Sequence, residues 1–216
     1  MSVILRGMEI KADSAVRSIG ELAALYDEPI ERAVRKQLDR LDEHCRAFIA
    51  ASPLIMIGTQ SAAAVADNSP RGDRPGFVKV ADDRTLLIPD RRGNNRLDTL
   101  KNIVENPAVG LVFLVPGVLE TFRVNGEAVI SRDPELLAQF SVDGKLPRTV
   151  LVVSVKEAYI HCSKALVRAD IWNPARYDAP RTVPSFGTMM AAHTCGLVNG
   201  PALDEDLKTR IPATLY

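Results

Sequence analysis

The sequence predicts a mainly β protein, a small antiparallel barrel with flanking helices. Three observations lead there. Short apolar runs recur between Pro53 and Ile160, each bounded by turn formers. Hairpin-type turns, Asp82-Asp83 and Pro116-Gly117, join neighbouring runs. One helix, between Ile88 and Val109, interrupts them, which is too little strand–helix alternation for a doubly wound fold.

From Asp13 to Ala50 the pattern is helical. Ser18 and Glu21 form a capping-box pair ahead of Leu22, Leu25 and Tyr26. Pro29 starts a second helix, whose apolar stripe is Ile30, Ala33, Val34, Leu38, Leu41 and Cys45. Leu54 to Thr59 is then a strand, and Ala62 to Ala66 a return strand of small residues. Asp67 to Gly76 reads as a polar loop rich in Gly, Pro and Arg. Phe77 to Val80 and Thr85 to Ile88 form a hairpin, and Val109 to Val115 is the most hydrophobic strand. Glu120 to Ser131 alternates at Phe122, Val124 and Ala128, and Pro134 to Phe140 is a short helix. Thr149 to Ile160 is a further strong strand. Asn173 to Tyr216 is Pro-rich and irregular except for a helix near Ser185 to Cys195.

The segment richest in chemistry is the turn from Ile88 to Arg96 and the helix it enters. Leu97, Leu100, Ile103 and Val104 recur at helical spacing, Asn94 or Asn95 can cap the first turn, and Asn106-Pro107 ends the helix. Free N–H groups at a helix start, with Arg91, Arg92 and Arg96 beside them, suit a phosphate ester. A solvated basic turn is the plainer alternative.

Composition narrows the partners. The 216 residues carry 27 basic and 27 acidic side chains, so no overall field draws the chain to nucleic acid or to an anionic membrane. Aromatics are 5% of residues, without the basic–aromatic interleaving of single-strand binders. No apolar run reaches the roughly 20 residues of a membrane span. Met1 to Lys11 lacks signal-peptide character, so a cytoplasmic location is expected. His44-Cys45, His161-Cys162 and His193-Thr194-Cys195 bring possible zinc ligands close together. They have no metal-binding spacing, so no metal site is expected.

Several strings together resemble the FMN-binding split barrels related to pyridoxamine 5'-phosphate oxidase. They are Arg74-Pro75-Gly76-Phe77-Val78-Lys79, Ile88-Pro89-Asp90, Gly93-Asn94-Asn95-Arg96, Asn106-Pro107 and Thr121-Phe122-Arg123-Val124-Asn125-Gly126. The stretch from His161 to Arg168, ending at Trp172, resembles the tail of an uncharacterised branch of that family. The resemblance implies a six-stranded Greek-key split barrel that forms a homodimer, with one FMN in each of two interface clefts. It implies residues 1–50 as a helical extension packed on the barrel, 51–172 as the barrel and 173–216 as a C-terminal extension.

The same resemblance places Arg74 and Lys79 beside the first flavin strand, with Phe77 and Val78 along the isoalloxazine edge. Pro89-Asp90 replaces an aromatic–threonine pair. Asn94-Asn95-Arg96 replaces a Ser-Arg-Lys phosphate clamp, and Arg91 or Arg92 could make good the lost cation. Asp90 would repel a phosphate, so it is expected to face ribityl hydroxyls or pair with an arginine. Thr121 stands where the parent enzyme has a glutamine near the flavin. Lys164 and Arg168, four apart, share a helix face that could meet an anion, and Trp172 stacks on a ligand or plugs a core or interface.

The implied function is an FMN-binding flavoprotein acting as an oxidoreductase on an unidentified small molecule, with NAD(P)H as a possible donor. No catalytic residue is compelled; His161, Lys164 and Arg168 are the candidates. The alternative is a non-catalytic flavin- or haem-binding protein in stress response or cofactor storage. A deazaflavin could stand in for FMN.

Overall fold

The computed structural model describes all residues except 1, 6–7, 12–13 and 178–179, with 2–5 and 8–10 as backbone only. The helical start expected at Asp13 lies outside the described residues. Contacts divide the chain into two units, residues 1–37 and 38–216.

In the first unit, β1 (Ser2–Leu5) pairs antiparallel with β2 (Met8–Lys11). Helix α1 (Ile19–Ala23) begins as its sequence indicates: the Ser18 hydroxyl accepts the Glu21 N–H. Glu21 reaches back to the Arg17 N–H at 2.7 Å, one residue beyond the usual capping-box donor. The predicted second helix is shorter than expected. It stops at Arg35, giving α2 (Glu31–Arg35). Its stripe divides accordingly, with Ile30 and Val34 exposed and Leu41 and Cys45 buried.

The second unit opens where Leu38 exchanges two backbone hydrogen bonds with Ala158. Asp42 then caps α3 (Glu43–Ala51) by accepting the Cys45 N–H. Burial pushes the Cys45 thiol up to about 11, so it is a packing residue and not a thiolate.

Seven strands form one antiparallel sheet in the order β4-β3-β7-β8-β9-β6-β5. They are β3 (Leu54–Gln60), β4 (Ala66–Gly72), β5 (Lys79–Val80) and β6 (Thr85–Asp90), then β7 (Ala108–Leu114), β8 (Thr121–Ser131) and β9 (Thr149–His161). The crossing of β6 to β9, past β7 and β8, is what separates this from a simple meander. One apolar core runs through it, with Ile49, Ile55, Ile57, Leu86, Ile88 and Phe113 at its centre. Gly126 sits at a register shift between β8 and β9, where a Cβ would run into the Ser154 carbonyl.

The sheet has one strand more than the six the resemblance implies and as many as the strand-by-strand reading gives; the correction is to the place of the return strand, which falls in the stretch read as a loop. The return strand is Ala66 to Gly72, pairing residue for residue with β3, while 61–64 makes the turn. Pro70 is tolerated because β4 is an edge strand. Its half-buried residues alternate, Asp67, Ser69 and Arg71, so a period of two was present in polar residues.

Beyond the sheet lie α4 (Asp98–Glu105), α5 (Pro134–Ala138), α6 (Lys164–Ala169), α7 (Phe186–His193) and α8 (Gly200–Ala213). Helix α8 corrects the irregular reading of the last segment. Asn199 caps it by accepting the Ala202 N–H, and Pro201 falls in the first turn, where it favours a helix. Gly187 of α7 and Gly200 of α8 let the two backbones touch.

Candidate functional site

A cavity of about 440 Å³ opens between edge strand β4, the end of β6 and the loop that leads into α4. That volume is within the roughly 300–1,000 Å³ of small-molecule sites. Backbone pairing fixes its floor: Pro89 and Asp90 are the last residues of β6, opposite Val150 and Thr149 of β9. The loop after Asp90 therefore starts beside Arg148. On the other wall, the Thr99 hydroxyl donates to Asp67 at 2.8 Å and so ties α4 to β4.

The start of α4 differs from expectation. Neither asparagine caps it. Leu97 holds the cap position with φ 63° and no side-chain bond, a left-handed conformation costing roughly 1–2 kcal/mol outside glycine. Asn94 instead accepts the Arg96 N–H at 3.1 Å and shapes the preceding turn. Thr99 and Ile103 are the inward residues of α4, whereas Leu97 and Val104 are exposed. The first N–H groups of α4 have no intrahelical acceptor, as at any helix start.

Five arginines and three aspartates line the cleft. Most already have a hydrogen-bond or ion-pair partner. Arg91 donates from Nε to Asp73 at 2.9 Å and to the Phe140 carbonyl at 2.7 Å, and it stacks on the Tyr216 ring. These contacts hold its guanidinium at the edge of the cleft. Arg96 pairs with Asp98 at 2.7 Å in an exposed position. Asp90 lies 3.9 Å from Arg71, in keeping with the expected arginine partner. Burial pushes the Asp90 carboxyl above its usual range, while Arg71 and Arg148 pull it back. Burial also acts to raise Asp73, but the Tyr216 hydroxyl, the Arg74 N–H and Arg91 outweigh it and hold that carboxyl below its ordinary value.

Of the residues singled out from sequence, Phe77, Pro89, Asp90, Arg91, Asn94, Asn95 and Arg96 line this cleft. Val78 is buried in the core. Arg74 is exposed outside the cleft, and Lys79 is committed to the Gln139 carbonyl at 2.6 Å. Thr121 pairs with His161 at the far end of β9. Lys164 and Arg168 share α6 beyond it, and neither lines the cleft. The Trp172 indole N–H donates to the Val118 carbonyl at 2.8 Å, anchoring the tail to the β7–β8 turn.

Sequence reasoning missed Arg71, Asp67 and Arg148 as lining residues. Alternation at 67, 69 and 71 signalled the first two. Arg148 becomes visible only once β6 is paired with β9. Among the described residues, no group of three or more His, Cys, Asp or Glu could hold a metal ion. No helix there is long and apolar enough to cross a membrane.

Strand order and cleft together define a split-barrel protein with a polar, arginine-rich pocket at one sheet edge. Residues 41–162 match the family model described as pyridoxamine 5'-phosphate oxidase, and the chain belongs to that family. No curated protein matches the sequence. Among solved structures, HupZ of Group A Streptococcus is similar at 18% identity, covering 56% of this chain and 93% of that one, TM-score 0.47. General Stress Protein 26 of Bacillus anthracis is 16% identical over 53% of this chain and 88% of that one, TM-score 0.41. The FAD binding protein of Mycobacterium smegmatis is 18% identical over 57% and 98%, TM-score 0.39.

Proposed function

We propose that the cleft binds the FMN moiety of a flavin and that the protein is a cytoplasmic flavin-dependent oxidoreductase acting on a small molecule. The observation that carries this is the meeting of an open helix start with Arg92, Arg96 and Arg148 in one cavity of suitable size. In this reading, Asn94, Asn95 and Arg96 hold the phosphate. Asp90 and Pro89 face the ribityl chain, and the segment bearing Phe77 and Val78, just before β5, follows the isoalloxazine edge. Arg91, fixed by Asp73, supports the phosphate loop from behind. Thr121, Lys164, Arg168, Arg74 and Lys79 reach a flavin only from a second chain or after rearrangement, which is why we place the cofactor at a homodimer interface. A bound flavin supplies hydride and electron transfer; the chain supplies position, polarity and access. NADH or NADPH is the proposed donor.

The test is flavin occupancy. Arg96→Ala is expected to lower it about tenfold, the size of one lost charge-assisted contact, while Arg132→Ala leaves it unchanged. Equal occupancy in the two variants counts against the phosphate assignment. A second reading, a non-catalytic flavin carrier, is favoured by a lining without histidine, lysine or cysteine. Flavin bands that bleach with NADH or NADPH and return in air decide for the enzyme.

A further inference from the structure

Separate stretches of the chain meet on one carboxylate. Asp73 follows β4, Arg91 follows β6, and Tyr216 lies just beyond α8. Asp73 Oδ2 accepts from Arg91 Nε at 2.9 Å, while Oδ1 accepts from the Arg74 N–H at 2.7 Å and from the Tyr216 hydroxyl at 2.6 Å. The Arg91 guanidinium also lies 5.1 Å from the centre of the Tyr216 ring, within cation–π range. Tyr216 therefore touches both members of a pair whose carboxylate is buried.

Arg91 leads directly into Arg92, Gly93 and Asn94, and that short run has two faces. One lines the cleft. The other lines a cavity of about 290 Å³ whose opposite wall includes Leu207 and Ile211 of α8. A Cβ added at Gly93 would meet nothing within 4 Å, so side-chain packing does not fix the run and its position depends on the anchor at Arg91. The segment that supplies Tyr216 is itself lightly held. Gly200 is the buried residue of α8, and Ile211 and Leu215 are exposed. A segment with so little buried apolar surface opens at low free-energy cost.

We propose that Tyr216 is a positioning residue for the cleft: the segment after α8 is a strap that docks through Tyr216 onto Asp73 and Arg91, fixes the run from Arg92 to Asn94, and so sets how tightly the cleft holds its ligand. With the strap docked the run is ordered, and with the strap released it is loose. The coupling is reciprocal, so a ligand that orders the run also favours the docked strap. The effect on ligand affinity rests on the flavin reading; the coupling of strap to loop does not.

Trypsin reads both segments, because the loop offers Arg91, Arg92 and Arg96, and α8 offers Lys208 and Arg210. Cleavage follows the open population of each site when opening is fast relative to cutting. Full-length wild type, Tyr216→Phe and Tyr216→Ala are digested with and without FMN, and the cut sites are followed by mass spectrometry. Without ligand, Tyr216→Ala is expected to speed cleavage in the loop about tenfold and Tyr216→Phe, which keeps the ring over Arg91, about threefold. Cleavage after Lys164 in α6 stays as in wild type. FMN is expected to slow cleavage after Lys208 and Arg210, which lie outside the cleft, about fivefold in wild type and not in Tyr216→Ala. FMN affinity falls about fivefold in Tyr216→Ala, with Tyr216→Phe between. Loop cleavage that is unchanged in both variants, or that rises equally after Lys164, overturns the inference. FMN bound equally well by wild type and Tyr216→Ala also overturns it and leaves the flavin reading standing. A wild type that binds no FMN overturns the flavin reading, and the ligand-free digests then decide whether strap and loop are coupled.

Discussion

The two ends of β9 make different use of the same strand. At its start, Thr149 lies opposite Asp90, and the neighbouring charges are locked: Arg91 to Asp73, Asp73 to the Tyr216 hydroxyl at 2.6 Å, Lys79 to Gln139. At its end, His161 lies opposite Thr121, and α6 carries Lys164 and Arg168 outward with no buried residue of its own. The strand between these ends is 13 residues long, roughly 40 Å if fully extended. One end builds a cavity from a single chain. The other presents side chains that, in our reading, find their ligand only across a dimer. The family resemblance groups Arg96 with Lys164 and Arg168, and so joins two places that one chain keeps apart.

The largest expected effect tests the locked end. Arg91→Ala leaves the buried Asp73 carboxylate without its cation and is expected to lower unfolding free energy by about 3 kcal/mol, read from urea denaturation. A loss under about 1 kcal/mol would mean that the loop is held by its backbone alone.

A gentler probe of the same end is acid. Asp73 has a native pKa below its ordinary 3.8, so its contribution is full above that value and is lost as pH falls through the native value. Melting temperature followed from about pH 5 toward about 2.5 is expected to drop more in wild type than in Asp73→Asn. Parallel curves would show that Asp73 carries no such linkage.

At the far end, Trp172→Phe removes one hydrogen bond to Val118 and is expected to cost about 1 kcal/mol. The smallest effect belongs to the paired variant Lys164→Ala, Arg168→Ala, expected within about 0.5 kcal/mol of wild type. A larger loss would show that these side chains already pack within one chain, and would remove the contrast between the ends.

Much of this was legible in the chain itself. The apolar strands at 54–60, 108–114 and 149–161 announced themselves because a central strand must be apolar to be buried. Ser18 and Ser185 marked helix starts through side-chain bonds to nearby N–H groups. The return strand after β3 was expected but placed several residues too early, because an edge strand can pair with polar residues and a proline, so the composition of 67–72 pointed to a loop. Helix α8 escaped because prolines were taken as breakers, although Pro201 sits in the turn where its missing N–H costs nothing.

Local spacing determined the antiparallel class, the basic loop from Arg91 to Arg96 and the anchoring role available to it. Those properties depend on neighbours a few residues apart, which a sequence displays directly. Tertiary structure alone decided that Arg91 is spent on Asp73, that Arg71 and Arg148 flank Asp90, and that the Tyr216 hydroxyl reaches Asp73 from 143 residues away. Electrostatic partnership depends on distance in space, and only the pairing of β3 with β4 and of β6 with β9 brings those charges within reach.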